Sequence, residues 1–313
     1  MGVEPMNATI ALALLTTSLA TTAPDRRPVV LITDIGVEVD DHWTMAHLAL
    51  APEIELKGVV TTHAPNLAAP AAETSASYAR ELAAKLPAKF RPTIIAGSSK
   101  PLASPGKPLP NSGVDFLIDQ AKGRTRDSRL TVVVIGAATD AASALLTDPT
   151  WADRVMIVAM GFNGYPSGGD PWNVKNDPIA WRTLLESRVP IVVGDVEITK
   201  RLLRMTPDRA HTLLTMLPEP APLLLNRFDH WIAENAQVAQ QVTGSPIVWP
   251  IWDEVTTAYL LGFARSESRP RPRLKDDLSF DLEKPEGTIE WITTIDEGKL
   301  WTDLVARIKA TGP

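Results

Sequence analysis

No cysteine occurs among the 313 residues, which excludes disulfide cross-links, thiolate metal sites and a cysteine nucleophile. A surplus of basic charge is missing as well: 31 Lys and Arg stand against 37 Asp and Glu, a formal net charge of -6. Binding to a nucleic-acid backbone relies on a basic face, so nucleic acid is not an expected partner. Also lacking is an apolar run of membrane-spanning length, which takes about 20 consecutive residues. The nearest approach is residues 8–23, a mostly apolar stretch of small side chains followed by Asp25-Arg26-Arg27. It suits the apolar region of a signal peptide, with cleavage after Ala20 or Ala23, although no Lys or Arg precedes it. Residues 1–23 are therefore expected to direct export to the periplasm or the cell exterior, the alternative being an unstructured leader. Absence of cysteine is compatible with export.

What is present is the composition of an ordinary globular chain, 44% hydrophobic and 22% charged. A chain this long closes a core without covalent or metal staples. Val29–Thr33 is a run with no polar alternation, the pattern of a strand covered on both faces. Further strands are expected at 56–62, 92–96, 130–135, 155–159 and 190–193, with helices at 43–50, 71–86, 114–122, 138–146 and 179–186. The alternation predicts an α/β fold, Rossmann-like, with a mostly parallel central sheet flanked by helices. Beyond Asp195, helices are expected at 207–217, 220–239 and 254–264 with no strand between them, then a loop at 268–273. A late strand or hairpin at 288–295 and a terminal helix at 300–310 complete the chain. No repeat or linker divides residues 24–313, which are expected to form one domain.

In open parallel sheets, ligands bind beyond the carboxyl ends of the strands. Asp34 follows the first strand, His63 and Asn66 the second, Gly97 the third, Thr139 and Asp140 the fourth, and 160–163 the fifth. These residues are predicted to share one rim. The segment Thr33-Asp34-Ile35-Gly36-Val37-Glu38-Val39-Asp40-Asp41 packs four carboxylates into eight positions directly after a buried strand. Such crowding is repulsive unless protons or a cation neutralise it. Oxygen donors without cysteine, and without a histidine pair at metal spacing, favour Ca²⁺ or Mg²⁺ over zinc. A helix cap accounts for one of these aspartates, not three.

The segment resembles the N-terminal fingerprint of the inosine–uridine preferring nucleoside hydrolases, with two extra residues between Gly36 and Asp40 relative to the most familiar form. Further resemblances follow in the family's order. They are Thr61-Thr62…Asn66, Ala96-Gly97…Pro101-Leu102, Ile135-Gly136-Ala137-Ala138-Thr139-Asp140, Met160-Gly161…Trp172-Asn173…Asp177-Pro178 and Trp252-Asp253. The resemblance implies the nucleoside hydrolase fold, bound Ca²⁺ and hydrolysis of the N-glycosidic bond of a small-molecule nucleoside, with a possible homo-oligomer. It implies Asp34, Asp41 and Asp253 as calcium ligands, with the Thr139 carbonyl as a fourth. Asp34 would also activate a metal-bound water as general base. Asp40, Asn66 and Asn173 would hold the ribose, and Trp252 would stack on the base.

The departures gather at the base end. Trp252 stands where purine-cleaving relatives carry the histidine that protonates the leaving base, and Trp cannot donate a titratable proton. Pro171 replaces a Glu, with Asp170 one place earlier; Asp140 replaces an Asn; Phe162 replaces the second Gly of Met-Gly-Gly. His63 and His230 are candidate replacement acids. Two other functions therefore stay open: hydrolysis of another diol-bearing glycoside, and calcium-dependent sugar or nucleoside binding without turnover.

Overall fold

A computed structural model describes residues 1–2, 26–169 and 172–312. All but the first two residues of the expected export segment lie outside the described residues. Six parallel strands open the chain: β1 (Arg27–Thr33), β2 (Ile54–Thr61), β3 (Thr93–Ala96), β4 (Leu130–Val134), β5 (Val155–Met160) and β6 (Ile191–Gly194). Two-residue strands β7 (Arg204–Met205) and β8 (Trp249–Pro250) pair with each other. Then come β9 (Ala264–Pro270), the ribbon of β10 (Arg273–Leu274) and β11 (Phe280–Asp281), and β12 (Thr288–Ile295). The eight-stranded sheet runs β3-β2-β1-β4-β5-β6-β12-β9, and only β9 is antiparallel to its neighbour. This is the mostly parallel α/β sheet that the strand and helix alternation predicts.

The unbroken apolar run of β1 has a direct cause. Val29 and Leu31 enter the core on one face of the sheet while Val30 and Ile32 enter the core on the other. Side chains alternate across a strand, so two covered faces leave no position for a polar residue. The helix after β1, Asp40–Leu50, packs into the first core, and the helix after β4, Thr139–Thr147, into the second. Neighbouring strands β1 and β4 thus send their chains to opposite faces, opening a crevice between their carboxyl ends.

The Asp40–Leu50 helix is buried along its whole length. Trp43 meets the rings of Phe228 at 6.3 Å and Trp301 at 5.9 Å, both edge-on. His47 lies inside this packing, its Nδ1 3.0 Å from Glu254 Oε2 and its Nε2 2.9 Å from Asp303 Oδ2. Burial by itself lowers the pKa of His47, but the carboxylates of Glu254 and Asp303 outweigh it and hold the imidazole above its ordinary value. The His47–Glu254 contact ties the helix beginning at Asp40 to the helix Glu254–Leu260.

Three expectations for the second half are corrected. The helix expected to reach Ala264 ends at Leu260, and Gly262 with φ +77° supplies the left-handed residue that follows a helix end. Residues 264–270 form an edge strand instead of running into a loop. Its sequence, ARSESRP, is largely exposed and lacks apolar alternation, so its extended form comes from hydrogen bonding to β12. Strands β7 and β8 lie where only helices are expected, and two-residue strands carry too little sequence for a period to show.

Because the His47 pKa is raised on folding, its stabilisation is complete below the ordinary value of about 6.5 and is lost as pH climbs through the raised value. The excess stability of the wild type over His47→Gln is expected to be largest near about pH 5 and to shrink toward about pH 9. Urea denaturation across that range measures it, and a pH-independent difference would contradict the assignment.

Candidate active site and metal centre

The crevice is furnished by the turn that leaves β1. Gly36 sits at φ +111°, and a Cβ there would fall 2.2 Å from the Tyr78 ring, so both backbone and space require glycine. The turn brings Glu38 into the crevice and starts a helix at Asp40, placing Asp40 and Asp41 in its first turn, where the helix dipole favours negative charge. The Thr33 hydroxyl donates to Asp41 Oδ1. On the β4 side, a Cβ on Gly136 would lie 2.8 Å from the Asp34 amide nitrogen and 3.0 Å from Asp34 Oδ1, so only bare backbone fits beside Asp34.

Asp253 arrives from the far end of the chain as the residue preceding the helix Glu254–Leu260, yet its side chain makes no capping bond there. One carboxylate oxygen from each of Asp40, Asp41 and Asp253 lies within 4.8 Å of the other two. The charge of Asp34 reaches Asp41, Asp253 and Glu38. Asp34, Asp40, Asp41 and Asp253 are each at most 4% exposed. Burial pushes the Asp40 carboxyl up to about 6, against the opposing pull of hydrogen bonds from its own and neighbouring groups. Burial, followed by repulsion among the carboxylates, raises Asp41, Asp253 and Glu38 well above the usual range. No Lys or Arg among the described residues pairs with Asp40, Asp41 or Asp253. A buried group of hard oxygens without a counter-charge has the chemistry of a divalent-cation site of the Ca²⁺ or Mg²⁺ class.

These carboxylates form one wall of a cavity of about 390 Å³. Another part of the lining is aromatic. Trp231 and Trp249 have ring centroids 4.2 Å apart, and Trp252 meets Trp249 edge-on at 5.5 Å. Glu38 joins the walls by accepting a 3.1 Å hydrogen bond from Trp249 Nε1. The long helix Ala221–Thr243 departs from helical geometry at Asn235, and Trp231, Asn235, Val238 and Val242 all line the cavity.

Of the eight residues singled out in the sequence, seven line this cavity: Asp34, Asp40, Asp41, Asn66, Asn173, Trp252 and Asp253. Asn173 donates its amide to the carbonyls of Ile135 at 3.2 Å and Met160 at 3.1 Å, tying the ends of β4 and β5 together. Thr139 is not brought to the cavity. It is the first residue of its helix, so its carbonyl points along the helix axis. Its hydroxyl donates to Asp177 Oδ2 at 2.7 Å. Ile135, four residues earlier, lines the cavity instead. Met160, expected on the rim, lines the cavity, whereas sequence reasoning missed Trp231, Asn235 and Trp249; the pair Trp249 and Trp252 was the available signal.

Neither histidine proposed as a replacement acid lines the acidic cavity. His230 is largely exposed and pairs with Glu234 at 3.2 Å, while His63 faces a neighbouring cavity. Asp140 is engaged by Ser98 and Asn111. Phe162, standing in a glycine position of the motif, adopts the left-handed φ of +67° that glycine favours, with its ring packed 4.9 Å from Phe280. Asp170 and Pro171 lie outside the described residues.

Residues 29–303 match the family model described as inosine-uridine preferring nucleoside hydrolase. An uncharacterized protein of Schizosaccharomyces pombe is 30% identical over 201 residues, 55% of this chain. The match spans 62% of that relative's length, less than two thirds. The fold is that of a plant nucleoside hydrolase structure, with TM-score 0.70, 17% identity, and 92% of this chain and 100% of that one covered. It is equally that of a purine-preferring ribonucleoside hydrolase from Gardnerella vaginalis, with TM-score 0.71, 19% identity and coverage of 90% and 98%.

Raised carboxyl pKa values mean that the metal-free site favours folding below about pH 4 and opposes it increasingly as pH rises through the folded values, including that of Asp40 near 6. In chelator-treated protein at neutral pH, Asp253→Asn is expected to raise the melting temperature by on the order of 2 °C. The gain should vanish toward about pH 4. Thermal unfolding followed by circular dichroism tests this; a variant less stable than wild type at every pH would refute it.

Proposed function

The chain belongs to the inosine-uridine preferring nucleoside hydrolase family, a family of N-glycosyl hydrolases, and we propose that it cleaves ribonucleosides to ribose and free base in a calcium-dependent reaction. The observation that carries this reading is the meeting of Asp40 and Asp41 with Asp253 in a cavity whose other wall is tryptophan. One wall suits a cation and a sugar diol, the other an aromatic base.

Asp34, Asp41 and Asp253 are the proposed calcium ligands. Calcium bound there would supply a fixed positive charge that lowers the pKa of water and attracts vicinal hydroxyls. Asp34 takes the proton of the attacking water, a role that suits a carboxylate at the end of a rigid strand. Asp40 accepts a hydrogen bond from a ribose hydroxyl, and Asn66 and Asn173 close the sugar pocket. Positive charge developing on the sugar as the C–N bond breaks is stabilised by the surrounding carboxylates. Trp231, Trp249 and Trp252 stack on the base but give it no proton. Substrates whose leaving group departs unprotonated should therefore react fastest.

Base release from inosine, uridine and cytidine with added Ca²⁺ tests the reading. Activity is expected to disappear with a calcium chelator and to fall at least about 100-fold in Asp34→Asn, with little change in unfolding midpoint. A 4-nitrophenyl riboside is expected to be cleaved faster than any of the three nucleosides. The specific observation favouring a second reading, binding without turnover, is Trp252 in the place of a histidine. Calorimetric binding of nucleosides with no base released would establish that reading and overturn hydrolysis.

A further inference from the structure

A second cavity of about 390 Å³ adjoins the first, and Trp172 lines both. Two chain segments run from one to the other. His63 and Pro65 line the second cavity while Asn66 lines the first; Asn173 lines the first while Lys175 and Asn176 line the second. The two cavities have opposite character. The first is lined by Asp34, Glu38, Asp40, Asp41 and Asp253, the second by Lys100 and Lys175 with no carboxylate among its described residues. Neither lysine is ion-paired among the described residues.

Among the remaining polar groups of the second cavity, Ser99 keeps a proton to donate, while His63, whose Nε2–H is given to Thr139, is left with Nδ1 as an acceptor. Thr139 gives its proton to Asp177 Oδ2, whose carboxylate is held by the amides of Leu102 and Ala180, each at 2.9 Å. The Thr139 oxygen is therefore left to accept from His63 Nε2–H at 2.9 Å, which fixes the ring. Ser99 Oγ accepts the Ala72 amide at 3.0 Å and keeps its own proton to donate. Asn176 lines the same space, and its buried side-chain nitrogen has no hydrogen-bond partner among the described residues.

A ribonucleoside in the first cavity has three directions of exit from the sugar ring. Its diol is taken by the acidic wall and its base by the tryptophans, which leaves the exocyclic 5′ carbon for the side bounded by Trp172. We infer that the second cavity is a phosphate subsite, and that the preferred substrate is a ribonucleoside 5′-monophosphate. This rests on the hydrolase reading above. Water adds across the C1′–N bond, the base leaves with one proton of that water, and ribose 5-phosphate is the other product; no P–O bond changes. The exposed side chains of Lys100 and Lys175 supply the positive charge that a phosphate dianion needs.

The test compares base release by the calcium-loaded full chain from uridine and inosine and from their 5′-monophosphates. Wild type is expected to show kcat/KM at least about tenfold higher for the monophosphates. In Lys100→Ala/Lys175→Ala that preference should be lost, with nucleoside cleavage within about twofold of wild type. Equal or lower kcat/KM for the monophosphates, or a preference unchanged in the double variant, overturns the subsite. Titration calorimetry on Asp34→Asn separates this from failure of the hydrolase reading. Tighter binding of monophosphate than of nucleoside, abolished by the lysine changes, sustains the subsite even where no base is released. Inorganic phosphate binding as tightly as the monophosphate would assign the cavity to the free anion and overturn the substrate class.

Discussion

The structure depends on holding like charges together where water cannot separate them. Asp34, Asp40, Asp41 and Asp253 are all but fully buried, with Glu38 beside them. Their repulsion is a standing cost that the rest of the fold must offset. Several features do so. The first turn of a helix supplies a positive dipole end, the Thr33 hydroxyl supplies a proton, and Gly136 leaves room for the backbone of β4 to approach. Farther in, His47 binds Glu254, the residue next to Asp253. That pair joins the helix carrying Asp40 and Asp41 to the helix carrying Asp253, and the apolar packing of Trp43 against Phe228 and Trp301 surrounds it. The charged centre is thus held by a second, better compensated charged contact about two helical turns beyond Asp40.

Around that centre the molecule sorts chemistry by wall. The first cavity is lined by carboxylates and three tryptophans, and Trp172 also lines a compartment with two lysines and no carboxylate among its described residues. Glu38 bridges the acidic and aromatic linings through Trp249 Nε1, and the chain itself joins them at Trp252-Asp253. Departures from the family pattern occur both in the acidic segment, as two extra residues between Gly36 and Asp40, and beyond it, where Trp252 lines the cavity and Phe162 accepts a backbone conformation that glycine adopts more easily.

Much of the site was legible because it is local. Asp34, Gly36, Glu38, Asp40 and Asp41 lie within one short segment, and no fold in which β1 is buried could scatter them. Asn66 and Asn173 follow strand ends, and strand ends share a rim in any parallel sheet. Thr139 misled because its role came from the order of residues in a motif, although the helix expected at 138–146 already contained it. Once Thr139 becomes the first helical residue, its carbonyl belongs to the helix, and the cavity is met by Ile135. Asn235 and Trp231 carry no local signal: they sit on a long helix, and only its packing beside the crevice makes them lining residues.

By itself the sequence determined the rhythm of strands and helices, because a sheet covered on both faces demands unbroken apolar runs, and the acidic turn after β1, because its carboxylates are chain neighbours. Tertiary structure alone decided that Asp253 joins them, that β9 is a strand, and that His63 faces a different cavity from Asp34. Those outcomes depend on which helices pack together and which edge finds a partner. Such contacts are made between distant segments, and no local pattern of residues encodes them.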